Sequence, residues 1–168
     1  MRIEELNRWD DVAAAAAVRP CVDIDSWVDA VVAGRPYADA DAAVAVARAQ
    51  ATTWTDAEVE AALADHPRIG ERHQGSGTSA GMSRAEQAGV PDDADVRTRL
   101  ADGNRRYEET FGRIYLVRAA GRSAEELLDL LETRLANDPA SELDVTRGQL
   151  AEIAVLRLRG LLSSQDDA

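Results

Sequence analysis

No lysine occurs anywhere in the 168 residues, so the basic side chains are arginines and two histidines. That absence excludes a Schiff-base lysine, a pyridoxal-phosphate lysine and a phosphate-loop lysine, whatever the fold. Cys21 is the one cysteine, which excludes an intrachain disulfide and a cysteine cluster for zinc or iron–sulfur; a reducing cytoplasm is the expected setting. Aromatics are 4% of residues, and no run of alternating β-branched residues lies between turn signals, so strand signals are weak. The Ala13–Ala17 run is too short to span a bilayer, and MRIEELNRWDDV lacks the basic start and apolar core of a signal peptide. The closing SSQDDA is neither a prenylation site nor a peroxisomal address, so no membrane partner is expected. Acidic side chains outnumber basic ones 31 to 19, and a net charge of -12 repels a phosphate backbone, which argues against nucleic acid.

What is present is helix. With 45% hydrophobic residues, the chain has enough to bury one core, and a single all-α domain over 1–168 is expected, with the tail about 163–168 frayed. Thr55 with Glu58, Ser83 with Glu86, Ser123 with Glu126 and Ser141 with Asp144 fit the capping box, in which each side chain satisfies an orphan backbone donor. The pattern predicts a bundle of about eight helices, near residues 9–18, 23–33, 39–52, 56–64, 83–89, 93–111, 124–136 and 142–162. Pro20, Pro36, Pro67, Pro91 and Pro139 fall at the joints. Gly70, Gly75, Gly77 and Gly81 make RIGERHQGSGTSAGM a loop, a lid or the rim of a site. No strand precedes it and no lysine lies in it, so it is not a nucleotide fingerprint.

Few residues are candidates for chemistry. His66 closes the helix that starts at Thr55, with Pro67 ending it, and a ring near helix-end carbonyls favours an imidazole able to act as acid or base. The plainer role is a surface histidine capping the helix. His66, Glu71 and His73 lie close enough in sequence to suggest a cation site, but their spacing matches no established zinc pattern, and no metal is expected. Glu86 completes a capping box, and the same first-turn position keeps its carboxylate ionised and suits it to orient a histidine. Gln87 beside it offers a donor and an acceptor. At about 100° per residue, Arg157 lies about 20° from Leu150 and about 40° from Leu161, so it points inward, whereas Arg159 points to solvent. An inward guanidinium needs an anion, either an internal carboxylate or a substrate carboxylate.

Three blocks then share an order and spacing: His66-Pro67-Arg68-Ile69-Gly70; Ser83-Arg84-Ala85-Glu86-Gln87-Ala88-Gly89; and a run from Asn104 and Tyr107 through Phe111-Gly112, Gly121-Arg122-Ser123 and Arg134-Leu135-Ala136-Asn137 to Leu156-Arg157-Leu158. Over roughly residues 20 to 162 the chain resembles the 2-oxo-4-hydroxy-4-carboxy-5-ureidoimidazoline (OHCU) decarboxylases. The resemblance implies an all-helical homodimer that converts OHCU to (S)-allantoin and carbon dioxide in urate degradation, with no metal or organic cofactor. It implies His66 as the catalytic histidine and Glu86 as its partner. Pro67, Ser83, Arg84, Ala85, Glu86 and Gln87 fall at substrate-binding positions, and Arg157 at one suited to an anionic group of the substrate. Backbone amides of Leu116, Val117, Arg118, Ala119 and Ala120 map to the segment that lies against substrate, although Arg113-Ile114-Tyr115 stands where many members carry Phe-Pro-Phe. The competing expectations are a non-catalytic helical interaction module and a hydrolase of a related ureido compound.

Overall fold

Two of the four capping boxes open helices as their chemistry requires. Thr55 and Glu58 exchange bonds in both directions, with Glu58 accepting from the Thr55 amide at 2.8 Å and Thr55 Oγ1 accepting from the Glu58 amide at 3.3 Å. Ser123 and Glu126 do the same at 2.6 and 3.2 Å. The Ser26 hydroxyl adds to the bonds on Glu58, and the Ser26 bond first, then the Thr55 bonds, hold its carboxyl below the usual range. The computed structural model of the chain describes residues 1–64, 66, 68, 69, 78, 81, 82 and 94–163. Among these, the elements are α1 (Ile3–Arg8), α2 (Asp11–Val18), a 3-10 turn (Arg19–Cys21), α3 (Asp25–Ala33), α4 (Ala40–Ala51), α5 (Asp56–Leu63), α6 (Ala94–Phe111), α7 (Ala124–Leu135) and α8 (Pro139–Ser163), with no strand. The all-α expectation therefore holds, while the helix expected at 83–89, with its Ser83–Glu86 box, lies outside the described residues.

Two helix starts differ from expectation. Helix α1 carries no Ser, Thr, Asp or Asn ahead of it; instead Glu5 accepts from the Arg2 amide at 2.9 Å. Its far end is served from a distance, because the Arg35 guanidinium donates to the Leu6 and Trp9 carbonyls at 2.8 and 2.7 Å. A capping pattern misses the first because Arg2 stands where Ser, Thr, Asp or Asn is sought, and the second because Arg35 lies far along the chain. Helix α8 begins at Pro139 rather than 142: Asp138 is its cap, accepting from the Ala140 and Ser141 amides, both at 3.1 Å. Proline fits the first position of a helix, where its missing donor would be an orphan in any case. Ser141 donates to Asp138 at 2.6 Å, and Asp144 pairs with Arg147, so these two residues do not form the expected box.

The chain divides into two compact units, one made of Met1–Ala62 with the stretch from Ala151, the other Leu63–Leu150. In the first, α4 buries Ala43, Val44, Ala47 and Ala51, a helical stripe of small side chains. The small stripe leaves room for Trp27 of α3, which is wholly buried and whose indole nitrogen donates to the Ala47 carbonyl at 3.0 Å. In the second unit, Leu100, Tyr107 and Phe111 of α6 pack with Leu127, Leu128 and Leu131 of α7, together with Ile69, Tyr115, Val117 and Ala119 from coil. Gly103 sits inside α6 because a Cβ there would come within 2.1 Å of a Leu131 methyl. Close approach of α7 thus outweighs the roughly 1 kcal/mol that glycine costs in a helix interior. Gly112, at φ +68°, ends α6 in the left-handed conformation that favours glycine, its amide donating to the Glu108 carbonyl at 2.8 Å.

Candidate functional site

His66 follows the end of α5, half-buried, with its backbone amide bonded to the Leu63 carbonyl at 3.1 Å. It therefore finishes the helix through its main chain. Two residues of α6, four apart and so on one face, hold the chain just beyond it. Asn104, buried, donates from Nδ2 to the Ile69 carbonyl at 3.0 Å, and its carboxamide oxygen has no hydrogen-bond partner among the described residues. Glu108 receives Arg68 in a two-pronged ion pair, one prong measuring 2.8 Å, and that pair holds the Glu108 carboxyl below its usual range. Both braces sit within three residues of His66 in sequence.

Leu116 through Ala119 run as coil into a turn at Ala120 and Gly121, with Leu116, Val117 and Ala119 buried. Three of their carbonyls are tied into the protein. The Leu116 carbonyl accepts from Arg134 Nη1 at 2.6 Å, the Arg118 carbonyl from Arg122 Nη1 at 2.8 Å, and the Ala119 carbonyl from the Arg122 amide at 3.0 Å. The last bond closes a tight turn whose third residue, Gly121, has φ +80°, a value that favours glycine. The Arg118 amide donates to Gln149 Oε1 at 3.0 Å, whereas the amides of Val117, Ala119 and Ala120 meet no acceptor among the described residues.

Arg134 is itself held by a buried network. Its guanidinium meets Glu142 through Nε at 2.8 Å and Nη2 at 2.5 Å, and Thr146 Oγ1 at 3.0 Å. Glu142, 0% exposed, also accepts from the Tyr107 hydroxyl and from Asn137 Nδ2 at 2.8 Å, so its lone pairs are satisfied. Arg134 lies over the Tyr115 and Tyr107 rings at 4.8 and 5.7 Å. Burial first, and for Tyr107 the Glu142 bond next, push both phenols up to about 12.

Arg157 is buried, as its helical angle requires, and Nη1 lies 3.4 Å from the Pro20 carbonyl. Arg159 pairs with Asp41 at 2.8 Å on the surface, as expected of the opposite face. Pro67 and Ser83, Arg84, Ala85, Glu86 and Gln87 lie outside the described residues, as do Glu71 and His73; among the described residues no acidic, histidine or cysteine group has the makings of a metal site. Sequence reasoning gave no role to Asn104, Glu108, Arg134, Glu142 or Gln149. One signal was available: Thr146 lies about 20° from Arg157 and Glu142 about 60° from it on a helical wheel, so the stripe that turned Arg157 inward continues into this network.

The sequence model of the OHCU decarboxylase family matches residues 7–159, which takes in His66, the 83–87 stretch, Leu116–Ala120 and Arg157. The chain belongs to the OHCU decarboxylase family. Among OHCU decarboxylase relatives, the enzyme of Amia calva is 31% identical over 136 residues, covering 79% of this chain and 78% of its own. That of Mus musculus is 34% identical over 108 residues, 62% of this chain and 61% of its own. The uric acid degradation bifunctional protein TTL of Arabidopsis thaliana is 32% identical over 118 residues, 68% of this chain; the match spans only 35% of that longer protein. A crystal structure of OHCU decarboxylase in the presence of (S)-allantoin shares the fold, with a TM-score of 0.73 at 24% identity, covering 92% of this chain and 99% of the other. A crystal structure of (S)-allantoin synthase shares it at a TM-score of 0.71 and 14% identity, covering 96% of this chain and 54% of the other.

Proposed function

We propose that this chain decarboxylates OHCU to (S)-allantoin and carbon dioxide in urate degradation, with His66 moving the proton. The observation that carries the reading is the continuous family match over 7–159, which includes the candidate residues in one stretch. In the substrate, the carboxylate sits on a carbon that bears a hydroxyl and adjoins an imine. As the carbon–carbon bond breaks, its electron pair passes to the imine, so the substrate supplies its own electron sink and no metal or organic cofactor is required by the chemistry. The hydroxyl must then become a carbonyl and the neighbouring carbon must gain a proton on one face. His66, anchored through its backbone and through the braces on Ile69 and Arg68, is the group we assign to that transfer.

Glu86 fixes the orientation of His66, while Pro67, Ser83, Arg84, Ala85 and Gln87 and the amides of Leu116, Val117, Ala119 and Ala120 hold the ring and ureido groups; the Arg118 amide is taken by Gln149. Arg157 positions the anionic group rather than driving its loss, since a site that gripped the carboxylate too firmly would stabilise the ground state. We read the enzyme as one domain, a cytoplasmic homodimer, in which the buried Cys21 is a thiol. OHCU decays unaided, slowly, toward racemic allantoin, so stereochemistry is the decisive readout. OHCU made in situ from urate and given to this protein in the presence of a chelator should yield one enantiomer of allantoin well ahead of the background. A racemic product at the background rate would instead favour a helical interaction module.

A further inference from the structure

The amides of Val117, Ala119 and Ala120 face in directions set by their own peptide planes. Cis geometry occurs at Arg35–Pro36, not in this segment, and in a trans peptide the N–H points opposite to the carbonyl of the preceding residue. Fixing the Leu116, Arg118 and Ala119 carbonyls on Arg134 and Arg122 therefore turns the amides of Val117, Ala119 and Ala120 away from those arginines. Arg134 fixes the first carbonyl, and Arg122 the other two. One side chain coordinates this second half of the segment. Gln149 of α8, half-buried, accepts through the same Oε1 from the Arg118 amide at 3.0 Å and from Arg122 Nη1 at 3.2 Å.

We infer that Gln149, acting through Arg122, is a positioning residue: its carboxamide oxygen turns the Arg118 amide away from the site and leaves the Ala119 and Ala120 amides aimed at the substrate's carbonyl oxygens. Two adjacent amides presented together make a small concavity suited to an oxygen bearing partial negative charge. Gln149 touches no substrate in this account, and the inference rests on the decarboxylase reading. An acceptor is what the position needs. Arg118 N–H and the Arg122 guanidinium both donate, so a carboxylate serves at position 149 and an apolar side chain does not.

The test pairs Gln149→Leu with Gln149→Glu in the full-length protein, reading KM and kcat on OHCU, amide exchange at Arg118, and amide shifts of 117–120 on titration with (S)-allantoin. Gln149→Leu should raise KM about tenfold, lose protection at Arg118 and weaken the response of the Ala119 and Ala120 amides, since small misplacements of a positioning group carry costs of this size. Gln149→Glu should restore all three. A purely structural defect lowers the folded fraction, and with it apparent kcat, but leaves KM alone. The inference is overturned by a Gln149→Leu variant with wild-type KM, or by a Gln149→Glu variant that protects Arg118 yet keeps the raised KM. A wild-type protein that neither turns over OHCU nor shifts with (S)-allantoin overturns the decarboxylase reading, and this inference with it; an active wild type beside an indifferent Gln149→Leu overturns the inference alone.

Discussion

The two units bury different things. In the unit made of Met1–Ala62 and the stretch from Ala151, the interior is Trp27, Val28, Val31, Ala43, Ala47, Val59 and Leu158, and Arg157 is its buried charged residue. The Leu63–Leu150 unit holds the other four buried polar or charged residues found among the described ones, Asn104, Arg134, Glu142 and Thr146. The difference follows from what each interior must hold. Helices satisfy their own backbone, so a helix-only core needs little polar help, whereas Ile69 and the 112–123 coil expose carbonyls that need donors. Arg134 and Asn104 are those donors, and Glu142 and Thr146 keep Arg134 in place. Arg157 in the first unit reaches the Pro20 carbonyl from a helix face that its angle turns inward.

The largest break in this comparison comes from the buried pair. Arg134→Ala or Glu142→Ala should each cost about 3–5 kcal/mol, because either leaves an uncompensated buried charge. Arg134→Met with Glu142→Leu should cost much less than the sum of the two, as urea denaturation of the four proteins would reveal. Tyr107 belongs to the same network, and its folded value of about 12 lies above the ordinary phenol. Its contribution is complete below the ordinary value of about 10 and is lost as pH rises through the folded value, so alkaline unfolding should coincide with tyrosinate absorbance in that window.

A middle-sized effect separates support from binding. Arg157→Lys keeps the charge but loses the planar fork, and should lower kcat/KM about tenfold, roughly 1.4 kcal/mol, with little change in the unfolding midpoint. A large loss of stability with unchanged kinetics would place Arg157 with Arg134 as a structural cation. The smallest effect is Gly103→Ala, where overpacking against Leu131 of about 1–3 kcal/mol is partly offset by about 1 kcal/mol of helix propensity. A modest fall in thermal midpoint is expected; a rise would show that α6 and α7 do not need the glycine.

Much of the fold was legible because helix starts carry local chemistry: Thr55 with Glu58 and Ser123 with Glu126 could be read directly. Helix α1 was not, since its ends depend on Glu5 and on Arg35 from farther along the chain. Arg157 was legible from angle alone. Gly121-Arg122-Ser123 could be read as a motif but not as a device; the structure gives each residue a task, with Gly121 turning the chain, Arg122 holding carbonyls and Ser123 capping α7. Gln149 was hidden because a polar residue on a half-buried helix face has no period that marks what it accepts from.

The most direct test compares wild-type protein with a folded His66→Asn variant at equal concentration, following the circular dichroism of allantoin formed from fresh OHCU with chelator present. The account predicts a growing single-enantiomer signal from the wild type and only the racemic background from the variant. A His66→Asn protein that still produced one enantiomer at near wild-type rate would contradict it.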